Sequence, residues 1–222
     1  MSALSRRVGR RIADDLCQCD AGIRRRHVHG RVEVDALRGH APERDLAIDE
    51  RRAELARHGG IHALVAAHAR SSSGGLGALT AAELDRSYAV NARATLLLVQ
   101  AAAHAGVRRV VLFITGGHHE AMADEIAYAA SKAAVHGITR SLAQALAPHG
   151  ATVNCINPGP VDTGYADDAT RAAVAARMPM KRWGRPRDIT PVVAWLLSDE
   201  AAWLTGQTLD VDGGWSLRGA AT

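Results

Sequence analysis

Aromatic and lysine side chains are what this sequence has least of. Its 222 residues hold one phenylalanine (Phe113), three tyrosines and four tryptophans, so the apolar content comes chiefly from Ala, Leu and Val. The basic clusters Arg6-Arg7, Arg10-Arg11 and Arg24 to Arg26 have no rings interleaved with them. Single-strand binding combines basic grooves with aromatic stacking platforms, so a net charge of +4 does not by itself indicate a nucleic-acid partner. Cysteine is also scarce. Cys17, Cys19 and Cys155 form neither an even disulfide framework nor a zinc spacing, which fits a reducing compartment. No run approaches the ~20 apolar residues of a membrane span, and the arginine-rich start lacks an apolar signal core. The expected setting is cytoplasmic, with no membrane and no nucleic-acid partner. No repeats, low-complexity tracts or linkers appear, and the length suits a single domain over 1–222.

Lysine occurs twice, at Lys132 and Lys181, against 25 arginines. Lys132 stands four residues after a tyrosine in Tyr128-Ala-Ala-Ser-Lys132, within the proline-free, alanine-rich stretch Glu125 to Ala147. That composition predicts a helix, and the spacing puts both side chains on one face about a turn apart. An ammonium beside a phenol favours phenolate, and such a tyrosine can exchange a proton with a carbonyl or alcohol oxygen. A compact point charge with rotating donors suits this better than a guanidinium. The pair on an ordinary, partly exposed helix face is the alternative.

Around this helix, short apolar runs alternate with helical stretches. Ile61 to Ala67, Arg109 to Thr115, Ala151 to Ile156 and Gln207 to Val211 read as strands. Ser71 to Leu79 is a Gly/Ser loop, and Thr80-Ala-Ala-Glu83 has capping-box spacing for a helix running toward Ala103. Asp188 to Leu197 reads as a short amphipathic helix, and Asp45 to His58 as a charged surface helix ending at Gly59-Gly60. Alternation of this kind predicts an α/β fold with a parallel sheet covered on both faces. Ligands in such sheets bind at the carboxyl ends of the strands, here Ala67-His68, Thr115-Gly116 and Asn157-Pro158-Gly159.

From Ile61 to Gly214 the chain resembles the short-chain dehydrogenase/reductase family in several ordered motifs. Tyr128-x-x-x-Lys132 matches the family's Tyr-x-x-x-Lys, and Thr115 lies 13 residues earlier, where the family places a catalytic serine. Asn91, in Tyr88-Ala-Val-Asn-Ala-Arg, precedes Gln100-Ala101 as the family's asparagine precedes its Gln-Ala. Asn157-Pro158-Gly159-Pro160-Val161-x-Thr163 matches the segment that contacts the nicotinamide, and Thr205-Gly-Gln to Gly214 resembles the terminal strand.

The resemblance implies a Rossmann-like, doubly wound three-layer α/β/α fold and hydride transfer with NAD or NADP. Tyr128 would be the general acid/base, and Lys132 would lower its pKa and bond the nicotinamide ribose. Thr115 would donate to the developing oxyanion, and Asn91 would hold a water on a relay to the lysine. Pro158, Gly159, Val161 and Thr163 would join Tyr128 and Lys132 in cofactor contact. Thr for Ser keeps the hydroxyl and adds a methyl, which would slow turnover or narrow substrates. Asn91 as the cap of a helix kink, and Thr115 as an ordinary strand-end residue, are the plain alternatives.

Residues 1–60 depart from the family pattern. Its buried first strand and Thr-Gly-x-x-x-Gly-x-Gly loop are missing or degenerate, and only Gly9 in Ser2-Ala-Leu-Ser-Arg-Arg-Val-Gly9-Arg-Arg11 is retained. Asp35 would either hold the adenine amino group or end a strand that selects NAD. Arg6 or Arg7 would meet a 2′-phosphate, a mild lean to NADP. Leu64-Val-Ala-Ala-His68-Ala-Arg70 stands where the family reads Asn-Asn-Ala-Gly, so polar braces of the central loop are expected to be absent, with Arg70 replacing the glycine. Either Ile23 to Val28 or Val32 to Ala36 is expected to fill the central strand slot, or the protein extends upstream of Met1.

His118-His119-Glu120 gives no complete ligand set, so no metal is expected; the loop would border the substrate, with His118 near the reacting carbon. Tyr165 to Trp183, with Met178, Met180 and Trp183, falls where the family carries a substrate lid and points to an apolar substrate portion, with packing against a partner subunit as the alternative. A homodimer or homotetramer through the helices after Asn91 and around Tyr128 is the expected assembly. These readings give an NAD(P)-dependent oxidoreductase interconverting a small-molecule carbonyl and a secondary alcohol, with 3-oxoacyl compounds as one candidate class. The alternative is a catalytically impaired binding or scaffold protein of the same fold, or a truncated product.

Overall fold

The short apolar runs between the helices all become strands of one parallel sheet. The computed structural model describes residues 61–164 and 166–217, together with the backbone of a strand at Val32–Asp35. Strands β1 (Val32–Asp35), β2 (Ala63–Ala66), β3 (Arg109–Phe113), β4 (Thr152–Asn157) and β5 (Thr208–Asp210) lie side by side in that order. Each neighbouring pair is parallel. The four later strands fall within two residues of the bounds expected from the sequence.

Successive side chains on a strand face opposite ways, and the sequence fills both faces. Leu64, Val110, Leu112, Val153 and Cys155 pack to one side, against Leu98, Ala102, Val135 and Ala143. Ala63, Val65, Val111 and Ile156 pack to the other, against Ile189, Val193 and Leu196. A strand buried on both faces favours apolar residues at every position, which is why β2 and β3 read as nearly continuous apolar runs. The buried Asn154 and Asn157 of β4 are kept by hydrogen bonds to Leu204 O, Gln207 N and Asp210.

The helices are α1 (Ala81–Tyr88), α2 (Ala94–His104), α3 (Ile126–Leu146), α4 (Asp168–Arg177) and α5 (Pro186–Leu196). Thr80 caps α1 by accepting from Glu83 N at 3.2 Å. Only half the expected box forms, because the Glu83 carboxylate turns to Arg70, Arg86 and Ser87 instead. The helix expected to run toward Ala103 contains a π-helical turn at Ala89–Arg93, with Asn91 at its centre. Helix α4 was not foreseen; Asp167 caps it by accepting from Thr170 N at 2.8 Å. No described helix is long and apolar enough to cross a membrane.

The expectation for the missing first strand is met in part. Val32–Asp35 pairs with β2, Asp35 in register with Ala66, but it forms one edge of the described sheet instead of its centre. Ile23 to Val28, Asp45 to His58, Ser5 to Ala13 and Gly9 lie outside the described residues.

Candidate active site

The carboxyl ends of β2, β3 and β4 converge with the start of α3, and Lys132, Thr115 and the Tyr128 turn come together there. Lys132, 3% exposed, reaches out of α3 and donates from Nζ to Phe113 O at 2.9 Å and to His68 O at 3.3 Å. It is therefore tied to the ends of β3 and of the segment after β2. An ammonium has three N–H donors, so one is left for a further partner. Burial lowers the Lys132 pKa to about 8, partly offset by the nearby Cys155. Burial likewise pushes the Cys155 thiol up to about 11. At neutral pH the lysine is charged and the thiol is not.

Tyr128 sits one turn before Lys132 and is half-buried. Thr115, the N-cap of a short 3-10 turn at Gly116–His118, is also half-buried, and its hydroxyl donates only to the Met122 thioether at 3.5 Å. A thioether is a weak acceptor, so this hydroxyl is easily recruited elsewhere. Thr115 lies close to the Tyr128 turn: a Cβ at Gly117 would sit 3.6 Å from Thr115 Cγ2 and 3.9 Å from Ala129 Cβ.

Asn91 is completely buried in the π turn, and its amide is committed to protein partners. Its Oδ1 accepts from Arg70 N at 2.7 Å, while Nδ2 donates to Arg70 O at 2.9 Å and to Ser131 Oγ at 2.8 Å. Ser131 Oγ in turn donates to Tyr128 O at 2.7 Å. Thr95 Oγ1 donates to Asn91 O at 2.8 Å, and His68 Nε2 lies 3.0 Å from Val90 O. A π turn displaces carbonyls from the ordinary ladder, and side chains collect them here.

These bonds correct the expectation that the loop after β2 lacks braces. The braces come from the π turn and α1, not from the loop's own sequence: Asn91 clamps both backbone groups of Arg70, and the Arg70 guanidinium pairs with Glu83. Burial pushes the Glu83 carboxyl up, but bonds from Arg70, Arg86 and Ser72 hold it below the usual range. Sequence reading missed Ser131 as a link, although it stands inside Tyr128-Ala-Ala-Ser131-Lys132, three residues after the tyrosine, where a helix brings side chains to the same side.

After β4, Asn157 donates from Nδ2 to Asp210 Oδ1 at 2.8 Å and accepts from Gly159 N at 3.2 Å. Gly159 has φ +60°, and a Cβ there would lie 2.6 Å from Asp212 Cβ, so only glycine fits. Pro158 and Val161 are half-buried on this loop, Val161 bridging to Gly184, while Thr163 is exposed farther along. Asp35 ends β1 at the same carboxyl edge. In the stretch expected as a lid, Met178 and Trp183 are buried, Trp183 Nε1 donating to Arg171 O at 2.9 Å, and of the three named residues only Met180 is well exposed. His118 faces Asp210 and packs against the His119 and His136 rings.

Comparison with known proteins identifies relatives of the chain. A family described as enoyl-(acyl carrier protein) reductase matches residues 44–216. The oxidoreductase YjdA of Bacillus subtilis is 40% identical over 157 residues, 68% of this chain and 62% of that protein. The 3-oxoacyl-[acyl-carrier-protein] reductase FabG of Vibrio cholerae is 47% identical over 90 residues, 39% of this chain and 37% of that protein. The angucycline C-6 ketoreductase LanV, solved with bound NADP, superposes with a TM-score of 0.73 at 27% identity, covering 83% of this chain and 75% of LanV. The chain thus spans less than two thirds of the length of the first of these relatives.

Proposed function

Because the chain belongs to the short-chain dehydrogenase/reductase family, we propose that it is an NAD(P)-dependent oxidoreductase interconverting a carbonyl and a secondary alcohol. The observation that carries this reading is Lys132: a buried ammonium one helical turn from Tyr128, anchored by two carbonyls and with a third donor still to place. Holding a charge at that depth costs stability, and a role in stabilising a Tyr128 phenolate during turnover would account for the cost.

The described residues fit the nicotinamide half of a dinucleotide. Lys132 would bond the ribose with its remaining N–H, and Pro158, Gly159 and Val161 would line the nicotinamide, with Thr163 at the outer end of that loop. When bound, the nicotinamide exchanges a hydride with the carbon of the substrate. In the reducing direction the Tyr128 hydroxyl gives its proton to the substrate oxygen, and the Lys132 charge stabilises the phenolate that remains. The Thr115 hydroxyl, held until then only by a thioether, donates to the same oxygen as negative charge builds on it. Asn91 positions Arg70, Ser131 and hence the Tyr128 turn. Its backbone carbonyl, already accepting from Thr95, is the remaining route for a water relay toward Lys132.

We assign NADP as the preferred cofactor, on the arginines near the start of the chain and the NADP found in LanV. A 3-oxoacyl-type ketone is the substrate class, on the likeness to FabG. The protein would act in the cytoplasm as a homodimer or homotetramer, joined through α2 and α3. The alternative, a binding protein of the same fold, draws on the single retained glycine, Gly9, in the phosphate-loop signature. Titration of NADPH and NADH, followed by nicotinamide fluorescence, separates the two. Saturable micromolar-range binding supports the enzyme, and no binding at millimolar cofactor supports the alternative.

A further inference from the structure

We propose that His118, His119 and Asp210 form a binding site for a zinc-type divalent transition-metal ion, beside the catalytic threonine. The sequence offers two adjacent histidines and Glu120 but no complete ligand set. The fold supplies a further ligand from 91 residues away, because the turn after β3 and the end of β5 both close over the carboxyl edge of β4. One ligand atom from each of the three residues lies within 4.8 Å of the others. His119 Nε2 is 2.8 Å from Asp210 Oδ2, and His118 Nε2 is 3.6 Å from Asp210 Oδ1. A tetrahedral ion with bonds of 2.0–2.1 Å sets its donors about 3.4 Å apart, so small side-chain rotations bring these atoms into place.

The surroundings hold the ligands in usable form. His118 Nδ1 lies 3.1 Å from the Thr115 carbonyl, which can only accept. Nδ1 therefore donates there, which leaves Nε2, the atom that faces Asp210, as the one available to ligate. Asp210 Oδ1 is itself held by Asn157 Nδ2 at 2.8 Å. Outer bonds of this kind, from a ligating histidine to a backbone carbonyl and onto a ligating carboxylate, orient metal ligands and tune their affinity. Two imidazoles and one carboxylate favour zinc, cobalt or nickel over magnesium or calcium. The fourth position falls to water. An ion here would pin the Gly116–His119 turn to β5 and so fix the segment that begins at Thr115.

The test uses untagged full-length protein carrying Cys17→Ser and Cys19→Ser, so that thiolates near the start of the chain do not compete. Co²⁺ serves as the spectroscopic probe and Zn²⁺ as its competitor. One Co²⁺ per chain, with d–d bands and no thiolate charge transfer, is the expected result. His119→Ala and Asp210→Asn should each weaken Zn²⁺ binding by at least about tenfold, while His104→Ala leaves it unchanged. A Zn²⁺-dependent rise in melting temperature should vanish in the same two variants. The proposal is overturned by absence of binding, or by equal affinity in the background protein and the His118→Ala/His119→Ala variant.

Discussion

A buried hydrogen bond of 2.8 Å from Asn91 to the Ser131 hydroxyl joins the π turn to the helix that carries Tyr128 and Lys132. The same amide clamps Arg70 from both sides. One side chain therefore sets three segments relative to one another: the loop after β2, the α1–α2 junction and α3.

Replacing Asn91 with Ala leaves both backbone groups of Arg70 without their partner, along with an acceptor at Ser131. Buried polar groups left unpaired cost about 1–3 kcal/mol each. Asn91→Ala should lower unfolding stability by at least about 2 kcal/mol and reduce kcat by more than it changes cofactor affinity. Chemical denaturation beside steady-state kinetics checks both, and a fully stable, fully active variant would remove Asn91 from this role.

Lys132 predicts an alkaline limit. Its ammonium is lost as pH rises through about 8, so kcat/KM for reduction should fall on an alkaline limb near that value. The linkage to stability has the opposite sign. Between about 8 and the ordinary lysine value near 10.5 the unfolded chain binds the proton and the folded chain does not, so the stability of the native protein relative to Lys132→Met should rise across that window. The increment is roughly 3 kcal/mol. A flat difference between the two proteins from pH 8 to 10 would show that the amine is not desolvated as described.

Tyr128→Phe removes the proton donor and keeps the ring. Reduction should drop by roughly a hundred- to ten-thousandfold, with nicotinamide binding nearly unchanged. Equal turnover by the Phe variant would take the tyrosine out of the chemistry.

At Thr115 the hydroxyl and the methyl can be separated. Thr115→Val, which keeps the shape, should cost about 100-fold in kcat, while Thr115→Ser should be at least as active as the native protein. Activity retained by the Val variant would argue against an oxyanion role.

Gly159→Ala introduces a Cβ 2.6 Å from Asp212 at a residue with φ +60°. The left-handed backbone costs an L-residue about 1–2 kcal/mol, and overpacking typically costs about 1–3 kcal/mol more. A melting temperature within a degree of the native value would mean the loop relaxes freely.

Much of this was legible in the sequence because it is local. Strand and helix follow from the period of apolar residues over five to twenty positions, the Thr80 cap from a three-residue spacing, and the Tyr128/Lys132 pair from one helical turn. What only the tertiary structure decided depends on residues far apart in the chain. Asn91 meets Arg70 and Ser131 because a π turn rotates it inward, and Asp210 meets His118 and His119 because two strand ends open on the same edge. Met178 and Trp183, which read as lid contacts, turned inward because burying them gains more than exposing them to solvent. A chain can state its periodicities by itself; which distant side chains share a hydrogen bond is settled only when the sheet has ordered its strands.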